Sequence, residues 1–256
     1  ENSRWDPNHI NLPAPYFTLG STGIGAHDTA SAGIIAATDM GAGVKGLAYN
    51  THLAHAASGS VNLYNAIPKL KAGDVVQIGI QISGGEVTGC TSSCSLPMEN
   101  IQDYYDVIRA LTDKGVHVVE AAANGNINLD HSGLNGRFNL KVRDSGAILV
   151  GAANPVYANR AYYSEYGSRV TTNSWGYYVT STGYTDLSST PNANYTANFS
   201  GTSSANPIVA GVVASLSSIA KAHGKTVTPR QMRTILHETG TVLPGTTSSL
   251  IGTQPD

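Results

Sequence analysis

Three residues in this sequence carry polar chemistry that could be used together: Ser203, His27 and Asn124. Ser203 follows the polar turn Asn198-Phe199-Ser200-Gly201-Thr202. Beyond it lies a small apolar run, Ile208-Val209-Ala210-Gly211-Val212-Val213-Ala214. That run reads as a buried helix; Gly201 allows a sharp bend before it, and Pro207 suits a first helical turn. A hydroxyl at a buried helix N-terminus sits in a positive field that favours developing negative charge. His27 heads an Ala- and Ile-rich stretch that runs to Ala37, and Asn124-Gly125 closes a Val-rich one. Each residue also has a plain structural reading: an N-cap, a helix-terminal polar cap and an Asn-Gly turn.

Taken in order along the chain, these blocks resemble the subtilisin-like serine proteases. Gly201-Thr202-Ser203-Ser204-Ala205-Asn206-Pro207 matches the nucleophile pattern Gly-Thr-Ser-x-Ala-x-Pro at every fixed position. His27, Thr29 and Gly33 match His-Gly-Thr-x-x-x-Gly, with Asp28 in place of the usual glycine. Ala121-Ala122-Ala123-Asn124 resembles Ala-Ala-Gly-Asn, with Ala123 in place of glycine. The resemblance runs from His9 to about Gly240. It implies an α/β fold of three layers, a mostly parallel β-sheet with helices on both faces. It implies a serine endopeptidase with Ser203 as nucleophile and His27 as general base. The Asn124 side chain and the Ser203 N–H would stabilise the oxyanion. A polypeptide substrate would lie extended along Gly79, Ile80 and Gln81, with Ala121, Ala122 and Ala123 lining the specificity pocket. This chemistry needs no cofactor. Asp28 points about 100° away from its helical neighbour His27, so it can raise the histidine's pKa or contact a loop rather than orient the ring.

The acid is the weak block. The family places its triad aspartate at the end of the first core strand, about seven residues before a His-x-x-Leu turn. His9-Ile10-Asn11-Leu12 resembles that turn, and counting back reaches Asn2 or Glu1. Three alternatives stand. Glu1 takes the role with a one-residue insertion; Asn2 holds the register in a crippled site; or the acid lies upstream of residue 1. Glu1 is carried forward here. The first core strand is then missing before residue 1, and its slot is empty, formed differently, or filled by a separate N-terminal fragment or propeptide. Two other functions fit the same blocks: a non-catalytic peptide-binding module, and an acyl transferase.

The elements that must position these residues follow from periodicity. Residues 61–72 have helical spacing through Leu63, Ile67 and Leu70, and 75–82 form a β-branched run suited to a buried parallel strand. A helix over 101–114 stopped by Gly115, strands at 116–119 and 144–152, and a Thr228-capped helix with Pro229 at its first position complete a βαβ alternation. Residues 182–198 read as a polar loop with two glycosylation sequons, at Asn194 and Asn198. His52, His55 and His117 lack ligand spacing, and Asp39 is the only acid in the turn at 38–47, so no metal site is expected. Cys90 and Cys94 are read as a local disulfide in preference to free thiols.

With 256 residues and 41% hydrophobic content, one domain over 1–256 can bury a large core. A net charge of −2 offers no basic patch for nucleic acid. Only 12% of residues are charged, and the abundance of small polar residues resembles a secreted, monomeric protein. No apolar run approaches the ~18–20 residues that span a bilayer, and the absence of a signal peptide suggests a mature or trimmed form.

Overall fold

The architecture is that of a computed structural model, which describes residues 2–84, 94–246 and 250–255. In chain order the elements are β1 (Thr18–Leu19), α1 (Ala26–Ala36), β2 (His55–Ala56), α2 (Ser60–Ala66), β3 (Val75–Ile78), β4 (Gln81–Ser83), β5 (Ser95–Pro97) and α3 (Gln102–Asp113). There follow β6 (His117–Ala121), β7 (Ile148–Asn154), β8 (Asn159–Arg160), β9 (Thr172–Trp175), β10 (Val179–Thr182), β11 (Ser188–Thr190), β12 (Ala193–Phe199), α4 (Thr202–Ala222) and α5 (Pro229–Thr239).

The core sheet pairs β3, β6, β7 and β9 in parallel, with β8 antiparallel on β7. Side chains alternate across it. Val119, Ile148, Val150 and Ala152 face α1, α4 and α5, meeting Ile35, Val209, Val213 and Met232. On the other face Val118 and Ala147 pack with Val107, Ile108 and Leu111 of α3. Two covered faces explain why these strands read as continuous apolar runs. The three-layer α/β expectation holds. α4 is long and apolar enough to cross a membrane by length and composition, with 21 residues, contrary to the sequence reading. Here it is the central core helix, packed on β3, β6, β7, β9 and α1.

Several boundaries differ from the expected ones, each for a local reason. The helix expected over 61–72 is α2 followed by a 3-10 turn at Ile67–Lys69, because Pro68 cannot continue the α-helical ladder. The strand expected over 75–82 breaks at Gly79 and Ile80. Ile80 tucks into the α3 core, and β4 leaves to pair antiparallel with β5. The strand expected from 144 begins at Ile148. Ahead of it, Asp144 is gripped by Arg233 (Nη1–Oδ1 2.7 Å) and Arg230. Burial opposes the Asp144 charge, but the Arg233 hydrogen bond and the Gly146 N–H hold its carboxyl well below the usual carboxylate range. The loop expected at 182–198 contains β11 and β12, which with β10 make a separate antiparallel sheet. α5 does have the expected Thr228 cap and Pro229, and Gln231 completes a capping box. His117 lies wholly buried in β6, and burial pushes its pKa down to about 4, so it packs as a neutral ring.

Beside β3, a cavity of about 540 Å³ with a mixed polar and apolar lining opens between β2, α1 and α4. Its walls include Leu53, Val75, Ile78 and Ala210.

Candidate active site

Ser203 is the second residue of α4, which begins at Thr202 with Gly201 as its N-cap, so Ser203 lies inside the first turn and is not the cap. Gly201 precedes it with φ +93°, a conformation that favours glycine, and hands its N–H to Gly176 O at 2.9 Å. The polar residues at 202–206 do not break the helix because their side chains are bonded locally. Ser204 Oγ donates to Trp175 O at 2.9 Å, and the Thr202 hydroxyl donates to Asn124 Oδ1 at 3.1 Å. Pro207 therefore falls in the second turn, not the first, so no N–H reaches back to the Ser203 carbonyl. The Ser203 N–H itself, in the first turn, has no intrahelical acceptor.

Asn124 stands three residues past the end of β6, at the carboxyl edge of the sheet where α/β folds bind ligands. Its Oδ1 accepts the Thr202 N–H at 2.9 Å. A backbone N–H can only donate, so the amide orientation is fixed and Nδ2 is the donor end. Nδ2 and the Asn124 N–H both donate to Gln81 Oε1, at 3.2 and 2.9 Å. Ala123 just before has φ +83°, which explains why glycine suits this place; alanine there carries strain of about 1–3 kcal/mol.

His27 is the second residue of α1, a helix buried from Asp28 to Ala36. Its ring packs edge-on against Phe199, with centroids 5.3 Å apart. The matched pattern around it has a structural cause. Thr29 Oγ1 donates to Gly25 O at 2.8 Å and accepts the Asp6 N–H at 3.0 Å. Gly33 lies against β10, where any Cβ would sit 2.3 Å from Thr182 Oγ1. Asp28, in the slot where glycine is usual, is buried and accepts a hydrogen bond from Ser3 Oγ. Ser3 O in turn is 2.8 Å from His55 Nε2, and Arg4 bridges Ile24 in parallel. These contacts bring the first described residues to the base.

A cleft of about 260 Å³ gathers Ser203 and Thr202, His27 and Asp28, Asn124 and Ala121, Gly79, Ile80 and Gln81, and Asn2 and Ser3. Among the described residues no hydrogen bond joins Ser203 to His27; such contacts commonly tighten only with substrate in place. Ala122 and Ala123 are not among the lining residues: both are fully buried, Ala122 against Leu134 and Phe138. Glu1 and Cys90 lie outside the described residues; Cys94 is buried.

Three supports escaped the sequence reading. Tyr163 Oη accepts the Gly201 N–H at 3.1 Å and donates to Gly176 O, pinning the turn before Ser203. Burial pushes its phenol well up, so it stays neutral. Glu165 Oε1 accepts the Gly125 N–H at 2.6 Å beneath Asn124, and burial raises its pKa to about 9. Glu120 is raised to about 8 by burial and then by the nearby Glu99 charge. Glu99 itself forms a buried pair with Arg169, at 2.7 and 2.8 Å.

A family model described as the Subtilase family matches residues 18–252. The chain is 32% identical over 237 residues to an "Extracellular protease" of Xanthomonas campestris pv. campestris. The match covers 88% of this chain but 38% of that protein, so the chain spans well under half of its relative's length. Among solved structures, one titled for proteases from Pseudoalteromonas arctica PAMC 21717 is similar at TM-score 0.65 and 27% identity, over 93% of this chain and 71% of that one. A "cold adapted subtilisin-like serine proteinase" is similar over 100% of both chains at TM-score 0.62; at 18% identity this is a likeness of fold alone.

Proposed function

This chain belongs to the subtilase family, and on that premise we propose that it is a serine endopeptidase acting on polypeptides. One observation carries the reading: a single cleft gathers Ser203, His27 and Asn124 from three distant parts of the sequence. Ser203 Oγ attacks the peptide carbonyl carbon while His27 takes its proton. His27 then gives that proton to the leaving amine, and water, activated by the same ring, hydrolyses the acyl-enzyme. Asn124 Nδ2 and the Ser203 N–H stabilise the oxyanion, and the α4 N-terminus adds its positive field. Glu1 orients His27 in this reading, which draws support from Ser3, two residues on, reaching Asp28 beside the base. Substrate pairs along Gly79, Ile80 and Gln81, with Ala121 at the pocket mouth.

Finer parts of the proposal are secretion, supported by the extracellular relative, a monomeric state, and a propeptide or N-terminal fragment as a second polypeptide partner. A Cys90–Cys94 bridge belongs to it as well. The test is labelling with a fluorophosphonate, followed by mass-spectrometric mapping. Stoichiometric label on Ser203, lost in His27→Ala, is expected; a folded chain that takes no label overturns the reading. Glu1→Gln against Asn2→Ala then locates the acid through the pH profile of labelling.

A further inference from the structure

Gln81 is solvent-exposed at the first position of β4, yet its side chain turns back onto the site. Its Oε1 receives two hydrogen bonds from one residue, the backbone N–H and the Nδ2 of Asn124, at 2.9 and 3.2 Å. The backbone N–H fixes the facing atom as oxygen, so an amide carbonyl sits on the donor. The other end of Asn124 is already held by Thr202 through the N–H and hydroxyl, at 2.9 and 3.1 Å. Nδ2 is therefore pre-aimed, and what it is aimed at is a carbonyl oxygen supplied by the protein.

We infer that Gln81 is a displaceable plug on the oxyanion donor: its side-chain carbonyl occupies Asn124 in the free protein and yields to the carbonyl of an extended peptide laid along Gly79–Gln81. The inference rests on the peptidase reading and deepens it. Gln81 belongs to the edge on which substrate pairs, so main-chain pairing there and release of Asn124 are one event. A small ligand with an electrophilic centre but no main chain must instead compete with Oε1 for Nδ2. Gln81 thus acts through Asn124, as a positioning residue that favours extended peptides over small esters or phosphonates. A neutral, exposed hydrogen bond of this kind holds back the donor by about 3- to 10-fold.

The test compares the second-order rate of Ser203 phosphonylation by a small fluorophosphonate in the native chain, Gln81→Ala, Asn124→Ala and the double variant. Gln81→Ala is expected to react about 3- to 10-fold faster, and the gain to vanish in the Asn124→Ala background. kcat/KM for an extended peptide substrate should rise less than the phosphonylation rate, because pairing already displaces the side chain. An equal or slower rate in Gln81→Ala overturns the plug and makes Gln81 a support for Asn124. A gain that persists without Asn124 overturns it too. Absence of any label in the native chain would sink the peptidase reading, and the plug as an enzymatic device with it. The contact itself is tested without turnover: the Asn124 side-chain NH₂ resonances must shift in Gln81→Ala, and unshifted resonances refute it.

Discussion

The two walls of the cleft are built differently. The Ser203–Asn124 wall joins the start of α4 to the end of β6, through the Gly201–Gly176 main-chain bond and the Thr202 N–H and hydroxyl on Asn124 Oδ1. The His27 wall is tied to a segment outside the core sheet, with Asp28 on the Ser3 hydroxyl and the Ser3 carbonyl on His55. Nucleophile and oxyanion donor are thus set by folding itself, whereas the environment of the base depends on how residues 2–4 are tethered. Damage to the first wall should remove chemistry, and damage to the second should misplace it.

The largest test is Asn124→Ala. It removes the oxyanion donor and the Thr202 acceptor together, and kcat should fall by about 10²- to 10³-fold, the scale known for the matching residue of subtilisin. KM should change far less, since ground-state binding does not use that donor. On the opposite wall, Asp28→Ala frees Ser3, and kcat/KM should fall by about 10- to 100-fold as the segment shifts from His27. Asp28→Asn keeps an acceptor for Ser3 and should restore most of it. If Asp28→Ala leaves the pH profile of kcat/KM untouched, the contrast between tethered and built walls fails.

Glu165→Gln sharpens the picture of the built wall through stability. The carboxyl keeps its proton in the folded state up to a pKa of about 9, while in the unfolded chain it titrates near 4.5. Between those values the folded protein binds the extra proton, so stability falls as pH rises, by up to about 1.4 kcal/mol per pH unit, and levels off above pH 9. Glutamine keeps the acceptor for Gly125 and should flatten that slope in urea titrations from pH 5 to 9, with little effect at pH 5. The smallest effect is expected from Ala123→Gly, which relieves the φ +83° strain against the lost burial of one methyl. A stabilisation of about 1 kcal/mol should appear as a rise in Tm; a fall would show that the methyl outweighs the strain.

What was legible in the sequence was what depends on neighbours along the chain. Gly201 announces a bend before a helix, and the structure has it at φ +93° directly ahead of α4. The apolar runs of β6 and β7 were readable because both faces of their sheet are covered. Polar residues with distant partners were not readable. Gln81 meets Asn124 across 43 positions, Ser3 meets Asp28 across 25, and Tyr163 meets Gly201 across 38. No local pattern encodes such pairings. β12 was hidden for another reason: Ala193-Asn194-Tyr195-Thr196-Ala197-Asn198-Phe199 lacks a strong alternation, and its pairing with β10 and β11 supplies what the pattern does not. The start of α4 was placed too late because Ser204 and Thr202 are poor helix formers until their hydroxyls find Trp175 and Asn124.

The buried acids have a consequence for how the molecule moves in an electric field. The formal charge of −2 counts every carboxyl as ionised. Glu120 and Glu165, raised to about 8 and about 9, keep their protons in the folded chain at pH 7 and lose them on unfolding. Unfolding at neutral pH therefore uncovers about two negative charges and releases about two protons to the buffer. In a urea-gradient gel at pH 7 the unfolded band should carry that extra charge toward the anode, and at pH 5, nearer the ordinary carboxylate range, the difference should shrink.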